Sequence, residues 1–357
     1  MRPAPLIRNM TASFVDDWER IKERHRAWWR GEGYLLQIVA PKKQFIYPPP
    51  RDLLQYWTDP EYVVGRWEEY FNSTYFLGDA FPYIFVNLGP SIASAYLGCP
   101  LILQNDTTWQ KPIIEDVEEL LNLHFDSKNE WWQKTLAIIS LACQRSKGEY
   151  IVSFTDLGGI SDILSHLCGP DRLCLYILEY PQIVKKALEW IADFWFKLYE
   201  EQYEIIKNYQ DGTCGWLNVW APGKSYPLQE DFSCMISEKI FREFLLPLLE
   251  RQTNFLDFSI YHLDGPGAIQ HLDALLELPR LNAIQWVPGA GAPPMPDWLP
   301  LLKRIQEAGK GLVLDVPPQD VEVLFSELDW RGLCVRTWCG SREEGESLLE
   351  MVERKFV

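Results

Sequence analysis

What most limits this chain is an alternation that sets in beyond residue 110. Short runs rich in Ile, Val, Leu and Phe, apolar on both faces, are separated by segments with helical period. Such strands must be covered on both sides by the segments that follow them, which calls for a parallel sheet wrapped in helices. The spacing predicts helices over 129–143, 158–168, 181–207, 237–252, 271–278, 296–308, 318–328 and 342–353. Strands are expected over 150–155, 215–219, 258–263, 283–287, 311–316 and 333–337. Upstream, Phe14, Trp18, Ile21 and Trp28 give 14–29 one apolar face among charges. A strand at 34–39 follows, then a proline-rich loop over 41–50. A helix over 60–72 opens with Asp59 ahead of Pro60, and a strand at 81–88 leads to a short helix closed by Gly98. Roughly seven or eight strand–helix units suit a closed (β/α)8 TIM barrel. No GxGxxG follows a first strand, which disfavours a dinucleotide-binding open sheet. The expectation is an α/β protein in one structural domain, with an N-terminal helical layer over 1–75 packed on a barrel over 76–357.

Charge narrows the partners. Fifty Asp and Glu against 34 Lys and Arg leave a net charge of -16, which repels phosphate backbones and anionic bilayers. Neither nucleic acid nor a membrane is therefore expected as a partner. Apolar runs stay far below the ~20 residues that span a bilayer. Residues 1–32 lack the apolar core of a signal peptide. The eight cysteines are scattered without CxxC spacing, so reduced thiols and a cytoplasmic location are expected. Most of the 16 Trp, 16 Tyr and 17 Phe are expected in the core, and their clustering at strand ends suggests a pocket that grips a flat or sugar-like ligand by its faces.

In a barrel the working residues sit at the C-terminal strand ends. Those positions hold Asp79 and Asn87, then Asp156, then Trp216, Asn218 and Trp220. Further on come Tyr261, His262 and Asp264, Gln285 and Trp286, Asp315, and finally Arg336, Trp338 and Cys339. The expected catalytic set includes Asp79, Asp156 and Asp315, as carboxylates that hold substrate hydroxyls or move a proton, together with the phenol of Tyr261. Asn87, Asn218, Gln285, Arg336 and Trp338 are expected to touch substrate, with Trp216, Trp220 and Trp286 as walls that exclude water. Period two puts His262 and Asp264 on one side of their strand, and Gly265 and Gly267 allow a sharp turn beyond them. Cys339, at the end of the last strand, could reach across to His262. A histidine held by a carboxylate and a cysteine serving as a small buried apolar residue are the plain alternatives.

Several pieces carry a resemblance. Asp231 precedes a helix opened by Ser237-Glu238, rich in Phe and closed by Pro247, and Tyr261-His262-Leu263-Asp264-Gly265 follows. With Phe76-Leu77-Gly78-Asp79 upstream, the order is similar to the uroporphyrinogen decarboxylase superfamily over most of the chain beyond residue 60. The resemblance implies a (β/α)8 barrel. Decarboxylases of this superfamily carry a paired-arginine loop that clamps substrate carboxylates, whereas residues 35–43 contain no arginine. Asp79 resembles their catalytic aspartate, but gripping a polycarboxylate without a bidentate clamp is physically unattractive. The methyltransferase branch binds zinc through a His-x-Cys pair and a distal Cys. His262 and Cys339 match, and Asp264 stands where the pair has Cys. The resemblance thus implies a zinc site of His262, Asp264 and Cys339, with Asp231 joining the acidic catalytic neighbours. It further implies methyl transfer from a small methylated substrate to a thiol or to a corrinoid carried by a separate partner protein. A homodimer is compatible with it. Two other readings stay open: metal-free acid–base lysis or hydrolysis of a carbohydrate-like compound, and a barrel that binds a small molecule without turnover.

Overall fold

The computed structural model describes residues 14–356 except residue 16. Residues 1–13, where the expected N-terminal layer and the segment read for a signal peptide begin, lie outside them. Asp17 caps α1 (Trp18–Trp29) by accepting from the Arg20 backbone N–H, and β1 (Leu35–Pro41) follows. Asp52 and Asp59 cap α2 (Leu53–Thr58) and α3 (Pro60–Asn72) in the same way. The chain turns back through β2 (Thr74–Gly78), antiparallel to β1, into β3 (Tyr83–Ile84) and α4 (Ala93–Tyr96). A hairpin of β4 (Leu101–Leu103) and β5 (Thr108–Gln110) leads to α5 (Glu130–Ser146) and β6 (Ile151–Val152). Three helices come next: α6 (Ile160–Cys168), α7 (Pro170–Glu179) and α8 (Pro181–Ile206). Short β7 (Thr213–Cys214) and β8 (Trp220–Ala221) precede β9 (Ser225–Leu228), α9 (Glu238–Phe244) and α10 (Leu246–Phe255). Strict alternation then carries β10 (Phe258–Asp264), α11 (Leu272–Leu276), β11 (Ala283–Val287) and α12 (Leu299–Glu307). It ends with β12 (Gly311–Asp315), α13 (Pro318–Glu327), β13 (Leu333–Trp338) and α14 (Arg342–Phe356).

Seven strands form one sheet in the order β2-β1-β13-β12-β11-β10-β9, parallel throughout except at β1–β2. β3 and β6 form a separate parallel pair. Among the described residues the backbone hydrogen bonds therefore do not close a ring, in contrast to the expected closed eight-stranded barrel. One reason lies at 215–219, expected as a strand and found as a loop. Asn218 takes a left-handed conformation there (φ 55°), and a Cβ on Gly215 would press into Pro227. The expected helix over 237–252 is broken at Leu245, because Pro247 lacks an N–H and its ring opposes a helix continuing from before it.

Alternation sorts each strand. Leu35, Ile260, Ala283, Val313 and Cys334 share one face of the sheet and cluster with Leu217, Val219 and Trp28. Two residues further along each strand, on that same inner face, stand Gln37, His262, Gln285, Asp315 and Arg336. An apolar layer thus supports a polar one. The other face, with Leu36, Ile38, Ile284, Trp286, Leu312, Leu314 and Val335, joins the main core with the helices. Among the described residues no helix is long and apolar enough to cross a membrane.

Candidate active site

Asp231, His262 and Asp264 each offer a ligating atom, and these atoms lie within 4.8 Å of one another. The two β10 residues reach that point because β10 ends at Gly265, whose φ of 74° turns the chain sharply. The Gly265 N–H donates to the Val287 carbonyl at 2.8 Å, which pins the turn to β11. Asp231 comes from the other side, on a short 3-10 turn (Asp231–Met235) stapled to α6 by two buried carboxylates. Glu230 accepts from the Ile160 and Ser161 N–H groups at 3.0 and 2.8 Å, occupying the exposed donors of the α6 N-terminus. Asp162, inside the first turn of α6, accepts in return from the Asp231 and Phe232 N–H groups at 3.1 and 2.7 Å. Gly159 completes the fit, since any Cβ there would meet the Gln229 carbonyl.

A hydrogen-bond chain fixes the imidazole. Arg336 grips Asp315 bidentately, at 2.7 and 2.5 Å, and also donates to the Leu217 carbonyl. Asp315 can only accept, so the Gln285 amide must present its Nε2–H group there (3.0 Å) and its Oε1 to His262 Nδ1 (2.6 Å). His262 accordingly donates from Nδ1, and Nε2 keeps its lone pair for a ligand. Burial lowers the proton affinity of His262, against the opposing effects of Gln285 and the nearby carboxylates. Desolvation raises Asp231, reinforced by the charges of Asp162, Asp264, Asp156 and Glu230. Glu230 is raised by burial and by Asp162. Crowded carboxyls of this kind are relieved by binding either protons or a cation. An imidazole nitrogen with two carboxylates suits a divalent first-row metal, zinc included, at sites of nitrogen and oxygen ligands. A histidine anchored through its other nitrogen is the usual supporting arrangement.

Beside this group opens a cavity of about 680 Å³. Its floor includes Gln37 and Arg336 of the polar layer, and its walls come from the 45–50 segment, α2 and α3. The Tyr47 hydroxyl lies so close over Gly65 that a Cβ would displace it, and Tyr62 donates to the Pro48 carbonyl at 2.8 Å. Trp216 joins the two regions: it lines the cavity and meets His262 edge-on, with ring centroids 5.0 Å apart. Asn218, also lining, accepts on its carbonyl from Gln37 Nε2 at 2.8 Å. Trp338 lines the rim.

Other expected site residues fall elsewhere. Cys339 is not part of the group around His262: its sulfur faces Gly345 on α14, next to Ile38, on the helix-covered side. Alternation is the cause, because counting on from inward-facing Arg336 and Trp338 turns residue 339 outward. It likewise turns Trp286 away from the site to pack on Trp298 at 4.9 Å, while Gln285 points in. Tyr261, between two inward positions, is buried in the main core, where burial and the nearby charges of Glu230, Asp231 and Asp162 raise its hydroxyl. Trp220 is fully buried against Trp18 and donates to the Asp211 carbonyl at 2.9 Å, in a cluster packed behind the cavity-lining Phe76 and Tyr83. Asp79, with no exposed surface, is held by Arg24 (2.9 Å for one contact) and accepts from the Leu36 N–H at 2.8 Å. Its carboxylate has no free face for a substrate. Asn87 is exposed and accepts from the Gly89 N–H at 2.8 Å, making a turn. Asp156 accepts from the Gly158 N–H at 2.9 Å near the acidic group. Sequence reasoning passed over Gln37, Arg66, Asp162 and Glu230. Of these, Arg66 had a signal: with Tyr62, Trp67, Tyr70 and Phe71 it belongs to an aromatic-rich side of α3 that lines the cavity.

Helices packed on a mainly parallel sheet, with a polar site at the C-terminal strand ends, define an α/β scaffold of the kind many enzymes use. In fold the chain is similar to a methyltransferase from Methanosarcina mazei, with a TM-score of 0.62, 13% sequence identity, and coverage of 94% of this chain and 99% of that one. No protein-family model matches the sequence, and no curated protein matches it.

Proposed function

We propose that this protein is a methyltransferase of the TIM-barrel type, akin to the methyltransferase branch of the uroporphyrinogen decarboxylase superfamily. A small methylated substrate would occupy the aromatic cavity, and a divalent metal, zinc first among candidates, would be held by Asp231, His262 and Asp264. The observation that carries this reading is the meeting of those three side chains at one point beside the cavity. The fold likeness to a methyltransferase adds support.

When bound, the ion supplies Lewis acidity, drawing charge from a substrate heteroatom or favouring the anion of a thiol acceptor. The chain does the rest. Gln285, locked by Asp315 and Arg336, keeps the His262 lone pair aimed at the site. Trp216 shields the boundary between site and cavity from water. Asp156, whose carboxyl is raised by burial to about 7, can hold or release a proton near neutrality. The methyl acceptor is then either a thiol or a corrinoid on a separate protein.

Metal titration tests the proposal. Chelator-treated protein, titrated with Zn²⁺ against a chromophoric competitor, should take up one ion per chain. Asp264→Ala should abolish uptake, and Gln285→Leu should weaken it about 10- to 100-fold through the loss of the Nδ1 acceptor. Cys339→Ser should bind as the parent does. A parent chain that takes up no ion, or an Asp264→Ala variant that binds normally, overturns the reading.

A further inference from the structure

We infer that the cavity is built for an aromatic anion: a planar ring between aromatic walls, with its carboxylate on Arg66. This deepens the proposed function and rests on it for the use made of the ligand.

In a chain with 50 acidic and 34 basic residues, the cavity lining contains no Asp or Glu among the described residues, yet it contains Arg66 and Arg336. The two guanidinium groups differ. Arg336 is neutralised by Asp315 beneath it. Arg66 has no ion pair among the described residues, because the carboxylates near it on α3 are engaged elsewhere. Glu61 and Glu68 pair with Arg145, and Glu69 pairs with Lys43. Arg66 is half-buried and lies over the Tyr56 ring at 4.0 Å from the centroid. Stacking of that kind leaves the guanidinium edge free, and the edge is what binds a carboxylate through two parallel hydrogen bonds.

The remaining lining decides what else the ligand must be. Phe45, Tyr47, Trp67, Tyr70 and Trp216 present ring faces and edges suited to a flat apolar body. A methylated ammonium would also favour aromatic faces, but here it would meet an uncompensated positive charge without any carboxylate. A sugar could use the unpartnered Trp216 Nε1, Asn218 Oδ1 and Thr337 Oγ1 of the lining, but it has no anionic group for Arg66, and the Gln37 amide is already bonded to the Asn218 carbonyl. A volume near 680 Å³ falls within the range of small-molecule sites.

Isothermal titration with three probes tests this: 4-methoxybenzoate, its uncharged amide 4-methoxybenzamide, and phenyltrimethylammonium. The parent should bind the acid about tenfold or more tightly than the amide, and the ammonium more weakly than either. Arg66→Gln should bring the acid down to the affinity of the amide and leave the amide unchanged, which also shows that the variant is folded. Equal affinity for acid and amide, absence of binding to either, a preference for the ammonium, or discrimination that survives Arg66→Gln would each overturn the inference. Binding of the acid by a chain that takes up no metal upholds this inference while sinking the proposed function. Metal uptake without acid binding does the reverse.

Discussion

Asp156 shows how a single carboxyl records its surroundings. Desolvation pushes it up to about 7, and the charge of Asp162 adds to this, while the N–H groups of Gly158 and Ser91 pull the other way. An acid raised on folding binds its proton more tightly in the folded state. The stability it confers is therefore complete below the ordinary carboxylate range and is lost as pH rises toward 7. Asp156→Asn retains an oxygen for the Gly158 N–H and removes the ionisation. Its stability relative to the parent should be about 1–2 kcal/mol greater at pH 8 than at pH 5, allowing for partial solvent contact. Urea unfolding at the two pH values checks this, and a pH-independent difference would refute it. Other residues of the site were readable from alternation alone. His262 and Asp264 face one way because they are two apart, and the same count separates Gln285 from Trp286 and Arg336 from Cys339. A motif match points to the sulfur, but strand geometry turns it away.

Among elements, the join between α6 and the Asp231 turn sets the site's precision. Asp162 accepts from the N–H groups of Gly159, Asp231 and Phe232, all of which would be left without partners by Asp162→Ala. Buried donors without partners cost about 1–3 kcal/mol each, partly recovered by water. The variant should lose about 2–4 kcal/mol in urea unfolding and weaken metal uptake, because Asp231 rides on the freed turn. A variant with parental stability would show that the staple is incidental. This join was invisible in the sequence, since residues 69 or more apart meet only after the sheet assembles. By contrast, α3 and β11 were legible to the residue, the first from its Asp59 cap and Pro60, the second from a β-rich run bounded by turns. The 215–219 segment misled for a physical reason: alternating apolar residues fit an inner-face loop as well as a strand. There Leu217 and Val219 pack into the apolar layer while backbone groups bond to Gln37 and Arg336.

At the scale of the whole molecule, α1 ties together stretches of chain that are remote in sequence. Arg24 reaches Asp79 beside β1 and β2, Lys22 reaches Asp211 at 2.8 Å, and Trp29 donates to the Trp220 carbonyl at 2.9 Å. Trp28 completes the apolar layer beneath the polar one. Asp79 is the buried centre of this clasp, with its carboxylate shared between a guanidinium and the Leu36 N–H. A catalytic aspartate and a structural one respond oppositely to the same change. Asp79→Asn keeps an acceptor for Leu36 but leaves the Arg24 charge without its partner in a largely buried place. Removal of one member of a buried pair is strongly destabilising, and the retained hydrogen bond moderates the loss to about 2–3 kcal/mol. The variant should therefore unfold at lower urea, while the folded protein binds 4-methoxybenzoate and Zn²⁺ as the parent does. Were Asp79 a catalytic acid, as the resemblance to the decarboxylases implies, the substitution would spare stability and remove turnover, so unfolding and ligand titrations on one variant separate the two roles.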